Sequence, residues 1–141
     1  MRRLSSIITL FGILLLTGCQ DILECVINRR PQLEDKNLAR ARLDRFYSDD
    51  ILAEIKNEPR DNSYYYYFSI DGELPRGLDY IVDYRSIIIE GVPTTPGRYP
   101  INIRLTVEQV NDYYEDCENR LNDCDGLCEE TTVKRYVLAV D

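Results

Sequence analysis

The chain contains no histidine. Imidazole is the side chain whose ordinary pKa lies nearest neutrality, so Ser-His-Asp and Cys-His catalytic arrangements are excluded. Basic residues are also in short supply, with 17 Lys and Arg against 25 Asp and Glu and a net charge of −8. Phosphate recognition depends on clustered cations, so no nucleic-acid partner is expected. Long apolar runs are missing too. The run Ile7–Leu16 falls short of the roughly 20 residues that a membrane-spanning helix needs. There is no second copy of any segment and no convincing long helix. Residues 36–46 show helical spacing at Leu38, Ala41 or Arg42, and Arg45, but the apolar stripe is thin, which predicts irregular chain or one helical turn.

What is present at the N-terminus is MRRLSSIITLFGILLLTGCQ. Arg2 and Arg3, the apolar run and the small residues Thr17 and Gly18 have the layout of a secretory signal. Leu16-Thr17-Gly18-Cys19 resembles a bacterial lipobox, in which the cysteine sulfur receives diacylglycerol and cleavage occurs just before it. The resemblance implies that residues 1–18 are a signal peptide, that Cys19 becomes the acylated first residue, and that the chain is a lipoprotein of the bacterial cell envelope. Each buried methylene contributes about 0.8 kcal/mol and stable anchoring takes two signals, so two or three acyl chains suffice. In lipoproteins of Gram-negative bacteria an Asp after the cysteine favours the inner membrane, so with Gln20 there the resemblance implies the outer membrane. Cleavage removes two arginines and no acid, leaving 123 residues at −10. That is one domain's worth of chain, acidic enough to be repelled by anionic headgroups and held by its acyl chains.

Four further cysteines remain: Cys25, Cys117, Cys124 and Cys128. An even number in an exported chain predicts two disulfides. Zinc is the competing reading, but the last three are separated by six and three residues instead of forming paired knuckles, and no histidine completes the set. Spacing does not choose among the three possible pairings.

Residues 19–30 are expected to be a lipidated tether, spanning at most about 40 Å if extended, with Ile22, Leu23, Val26 and Ile27 partly packed. Residues 31–141 are expected to be the domain. Ile51, Ala53 and Ile55 alternate with Leu52, Glu54 and Lys56, and Asn57 to Ser63 reads as a turn. Tyr64 to Ile70 is an aromatic strand, and Ile87 to Ile89 mark another. From Tyr99 to Glu108 the alternation is strict, with Tyr99, Ile101, Ile103, Leu105 and Val107 on one face. An acidic, cysteine-rich stretch, residues 111–130, precedes a last strand from Thr132 to Val140. Short strands separated by turn signals predict an all-β antiparallel sandwich.

Two motifs sharpen this. Leu74-Pro75-Arg76-Gly77-Leu78 is followed by Ile89-Glu90-Gly91-Val92-Pro93-Thr94-Thr95-Pro96-Gly97-Arg98-Tyr99. In this order they resemble the immunoglobulin-like domains of bacterial surface proteins, over about a third of the chain closely and loosely from Pro31 to Val140. Pro75 presets a turn, and Gly77 and Gly91 supply conformations that a Cβ would resist. The chain departs from that family in being single and in carrying residues 111–130 where a short turn is usual. The resemblance implies an immunoglobulin-like β-sandwich. It also implies that Cys25 lies at the same end as Cys117, Cys124 and Cys128, so that one disulfide ties the N-terminal segment to the insertion and the other braces the insertion itself.

Candidate chemistry is sparse. No catalytic residue, metal ligand or cofactor is expected, since the cysteines are consumed in disulfides and surplus carboxylates on so acidic a chain are mostly solvated surface. Asp112, Glu115, Asp116, Glu118, Asp123, Asp125, Glu129 and Glu130 invite a calcium reading. The EF-hand register fails, however: with Gly126 at position six, Leu121 and Thr132 fall where ligands belong. Tyr64 to Tyr67 could form a sugar-stacking platform, but alternate strand residues face opposite sides, so half are expected in the core. The expected function is a non-enzymatic, lipid-anchored interaction or structural module that meets a protein partner of the envelope. The alternatives are an inhibitor or immunity lipoprotein that neutralises a cationic enzyme, and a carbohydrate-binding accessory domain.

Overall fold

The computed structural model describes residues 28–110 and 127–141. Their secondary structure is seven strands, β1 (Arg30–Leu33), β2 (Tyr47–Lys56), β3 (Tyr64–Asp71), β4 (Leu78–Asp83), β5 (Ser86–Gly91), β6 (Gly97–Gln109) and β7 (Thr131–Val140), with one 3-10 turn at Asp61–Ser63. They form two antiparallel sheets ordered β1-β2-β5-β4 and β3-β6-β7. The chain is a two-sheet β-sandwich, as the alternation predicts.

The core lies where the two inner faces meet. Pro31 and Leu33, Ile51, Ala53 and Ile55, and Ile87 and Ile89 come from one sheet. Tyr64 and Tyr66, the row Ile101, Ile103, Leu105 and Val107, and Tyr136, Leu138 and Val140 come from the other. β6 is the spine, its alternate aliphatic side chains fully buried while Asn102, Arg104 and Glu108 face water.

β4 is absent from the sequence reading for a physical reason. It is an edge strand whose only partly buried side chains are Leu78 and Tyr80, with Ile81 and Val82 exposed, so it shows little apolar alternation. Residues 34–46 form no helix. They cross from the first sheet to the second, where Ala41 makes a parallel bridge to Val140. The Ala41 amide donates to the Ala139 carbonyl and the Asp141 amide to the Ala41 carbonyl, so this segment covers the outer edge of β7 near its C-terminal end. An edge masked in this way offers no template to another strand.

Asp49 organises the crossing. It sits on the core-facing parity of β2, between Tyr47 and Ile51, yet it is not orphaned. Lys36 Nζ donates to one carboxylate oxygen at 2.8 Å, and the Ala39 amide donates to the other at 2.8 Å. Burial pushes the Asp49 carboxyl up, but the Lys36 ammonium, the Ala39 amide and the Tyr47 hydroxyl outweigh it and hold the group below its ordinary value.

The two motif glycines meet. Gly77 and Gly91 have φ of +94° and +135°, and a Cβ on either would fall about 2 Å from a backbone oxygen, Val92 O for Gly77 and Gly77 O for Gly91. The Val92 amide donates to the Gly77 carbonyl at 3.0 Å. The backbones approach this closely only because neither position carries a side chain.

Candidate functional site

The strand directions give the sandwich two distinct ends. At one end lie the start of β1, the end of β2, the start of β3 and the junction of β6 and β7. Here the Cys128 amide donates to the Arg29 carbonyl at 2.9 Å, and the Val107 amide donates to the Glu130 carbonyl at 2.9 Å. Leu127 packs against the core, so the C-terminal root of the acidic stretch is fixed to the body of the domain. Beside it the buried Glu58 accepts from the Arg60 amide at 2.8 Å and faces Arg29, with Arg29 Nη1 3.5 Å from Glu58 Oε2. A buried carboxylate is tolerated only with such partners.

Of the cysteines expected to pair, Cys128 lies among the described residues. Cys19, Cys25, Cys117 and Cys124 lie outside them, as do residues 111–126 with most of the acids that invite a calcium reading and with Tyr113 and Tyr114. Among the described residues no group of three or more Cys, Asp or Glu is placed to hold a metal ion.

The same end carries a clamp the sequence did not reveal. Arg85, in the two-residue turn between β4 and β5, pairs with Asp61 and Asn62 in the connection between β2 and β3. Its guanidinium carbon stands 5.5 Å from the ring centroids of both Tyr66 and Tyr84, whose rings meet edge to face at 6.0 Å. Burial pushes the Tyr66 phenol up, and its hydroxyl donates to the Asp61 carbonyl at 3.2 Å. The cluster ties the tip of the first sheet to the aromatic strand of the second through cation–π and charge-assisted contacts. It is a structural staple, with every partner drawn from the chain itself.

The tyrosine run divides as strand geometry demands. Tyr64 and Tyr66 are 3% and 7% exposed, whereas Tyr65 and Tyr67 are 54% and 50% exposed. The exposed pair joins the outward face of the β3-β6-β7 sheet. Across that face the register places Tyr67 beside Thr106 and Thr131, Ser69 beside Arg104 and Val133, Asp71 beside Asn102 and Arg135, Pro100 beside Val137, and Arg98 beside Ala139. The face is rich in arginine and aromatic groups although the chain as a whole is acidic. Those residue types are enriched where protein interfaces concentrate their binding energy.

No protein-family model and no curated protein sequence matches the chain. Among solved structures, the endo-fucoidan hydrolase MfFcnA4 from glycoside hydrolase family 107 superposes with a TM-score of 0.49 at 13% identity, covering 80% of this chain and 14% of the hydrolase. A point variant of that enzyme gives 0.47 at 12% identity, with 79% and 13% coverage. The ASH / PapD-like domain of human CEP192 (PapD-like domain 7) gives 0.43 at 6% identity, with 80% and 84% coverage. The chain thus spans only about an eighth to a seventh of the hydrolase. Similarity at this level carries no statement about activity, substrate or partner.

Proposed function

We propose that the chain is a non-enzymatic, lipid-anchored interaction module of the bacterial cell envelope, built on an immunoglobulin-like sandwich. The anchor reading rests on the sequence alone, on the signal layout ahead of Cys19. The immunoglobulin-like reading is supported by strand order. Four strands ordered 1-2-5-4 facing three ordered 3-6-7 reproduce the constant-type arrangement. Tyr99 adds a second mark: near the start of β6 its hydroxyl donates back to Thr95 Oγ1 at 2.9 Å and reaches the Thr95 carbonyl at 3.4 Å, as in a tyrosine corner.

The observation that carries the functional reading is the Cys128 amide on the Arg29 carbonyl. It supports placing the root of the acidic stretch at the same end as the segment leading back to Cys19. Eight residues lie between Cys19 and Asn28, at most about 30 Å of extended chain, so the acidic stretch works close to the bilayer. A disulfide through Cys128 braces it there. Mass spectrometry of the chain purified from its host tests the anchor: Cys19 as an acylated N-terminal residue is expected, and an intact leader or a free Cys19 thiol overturns the reading.

The charge distribution favours a second reading. Residues 111–126 hold six acids and one arginine, a composition suited to a cationic partner, as in an inhibitor or immunity lipoprotein. Binding that weakens steeply with salt, and is lost when these acids are neutralised, distinguishes it from a salt-indifferent structural contact.

A further inference from the structure

At the end of the sandwich opposite Arg29, a cavity of about 350 Å³ opens between the crossing segment and the outward face of β6 and β7. Lys36 and Arg40 line one side, Arg98 and Arg135 the other, and Val137 and Ala139 form part of its floor. Four cations thus converge on one hollow in a chain of net charge −8. Two of them are already engaged: Lys36 with Asp49 at 2.8 Å and Arg40 with Asp141 at 3.0 Å. Arg98 and Arg135 are exposed and have no ion-pair partner among the described residues.

The register explains why these two reach one site. Arg98 lies opposite Ala139 and Arg135 opposite Asn102, with the Pro100–Val137 pair between them on the same face. Their Cα atoms are therefore four residues apart along the sheet, roughly 13 Å. Both residues line the same pocket, with Val137 between them. Arg104 continues the line one row further, held by Asp71 at 3.4 Å. Guanidinium groups spaced in this way along a sheet suit carboxylates carried four residues apart on an extended chain, with an apolar residue midway between them on the same face.

We propose that this pocket binds an acidic, extended peptide segment of a partner protein, its carboxylates on Arg98 and Arg135 and an apolar side chain on the Val137–Ala139 floor. A glycan fits less well. The only aromatic residue lining the pocket is Tyr136, which is buried and whose hydroxyl donates to the Glu34 carbonyl at 2.6 Å, so no ring face is free for stacking. The assignment deepens the reading of the chain as an interaction module and is independent of the lipid on Cys19.

The test is fluorescence anisotropy on the full chain in detergent, with a labelled peptide repeating Glu-Ser-Val-Ser, which carries Glu and Val on one face of an extended chain, and a charge-reversed peptide repeating Lys-Ser-Val-Ser. Saturable binding of the acidic peptide alone is expected, weaker at higher salt. The double variant Arg98→Ala/Arg135→Ala is expected to lose about tenfold or more in affinity, with its thermal midpoint unchanged because both side chains are exposed. Arg98→Lys/Arg135→Lys, which keeps charge but not the planar fork, is expected to fall between. Arg76→Ala, an exposed arginine outside the pocket, is expected to bind as the parent does. No saturable binding at millimolar peptide, undiminished binding by the double alanine variant, or binding of a heparin hexasaccharide through these arginines with the peptide silent would each overturn the proposal. None of these outcomes bears on acylation of Cys19, so failure of the pocket and failure of the anchor reading are separately visible.

Discussion

The Cys128 amide lies 2.9 Å from the Arg29 carbonyl, one strand start away from the segment that contains Cys25. Two residues lie between Cys25 and the first described residue, Asn28, which makes Cys25 the N-terminal cysteine nearest in sequence to this corner. The expected pairing is Cys25 with Cys128, leaving Cys117 with Cys124. Non-reducing proteolysis and mass spectrometry of the linked peptides checks it, and a Cys124–Cys128 peptide excludes it. Cys128→Ser is then expected to cost about 2–4 kcal/mol, read as a lower urea midpoint with a steeper slope, since loss of the cross-link expands the unfolded chain.

Gly77 packs on the backbone of Val92 and Gly91 on the backbone of Gly77, at distances that leave no room for a Cβ on either glycine. Because a Cβ on Gly91 would meet the Gly77 carbonyl oxygen at 2.2 Å, backbone rather than a movable side chain stands in the way. Gly91→Ala is expected to destabilise by about 2 kcal/mol or more, combining positive-φ strain with the clash. Gly72→Ala, with its nearest backbone oxygen at 3.0 Å, is expected to cost less. Parallel denaturation curves decide between them.

How far the chain could be read in advance follows burial. β6 was legible because Ile101, Ile103, Leu105 and Val107 are all buried on one face, so composition and structure repeat with the same period. The Leu74 to Leu78 and Ile89 to Tyr99 motifs were legible because positive φ leaves little choice but glycine. β4 and β1 left weak traces, one being a mostly exposed edge and the other only four residues long. Asp49 gave no readable signal, because its role depends on Lys36 and Ala39, thirteen and ten residues away in sequence. The Arg85 clamp and the Arg98–Arg135 pocket had no local signature at all. Each is assembled across strands, and a single arginine in a strand reads as a solvated side chain until the register places another beside it.

The Lys36–Asp49 pair sets a pH signature whose sign follows from both partners. The Asp49 carboxyl is held below its ordinary value of 3.8, so its contribution to stability is complete above that value and is lost as pH falls through the folded-state pKa. The hydrogen bond to Asp49 raises the Lys36 ammonium above its ordinary 10.5, so its contribution is complete below that value and is lost as pH rises further. The expected result is a stability contribution that is flat between these limits and falls away outside them. In Asp49→Asn the acid limb of the stability curve is expected to flatten and the midpoint at neutral pH to drop. An unchanged acid limb in urea titrations at about pH 2 to 4 excludes the assignment.

Tyr65 and Tyr66 are sequence neighbours with opposite surroundings, and this separates stability from recognition. Tyr66 is buried, stacks edge to face on Tyr84, lies under Arg85 and donates to the Asp61 carbonyl. Tyr66→Ala is expected to cost about 3–5 kcal/mol through the cavity it leaves and the loss of the clamp. Tyr65 and Tyr67 project from the other face, and changing both to alanine is expected to shift stability by less than about 1 kcal/mol. Any effect of that double change on binding therefore reports recognition and not unfolding. A carbohydrate-binding role for the sheet face requires glycan binding that disappears in Tyr65→Ala/Tyr67→Ala while the fold persists. A glycan array that gives no signal with the parent chain removes that role and leaves the arginines of β6 and β7 as the recognition groups of this face.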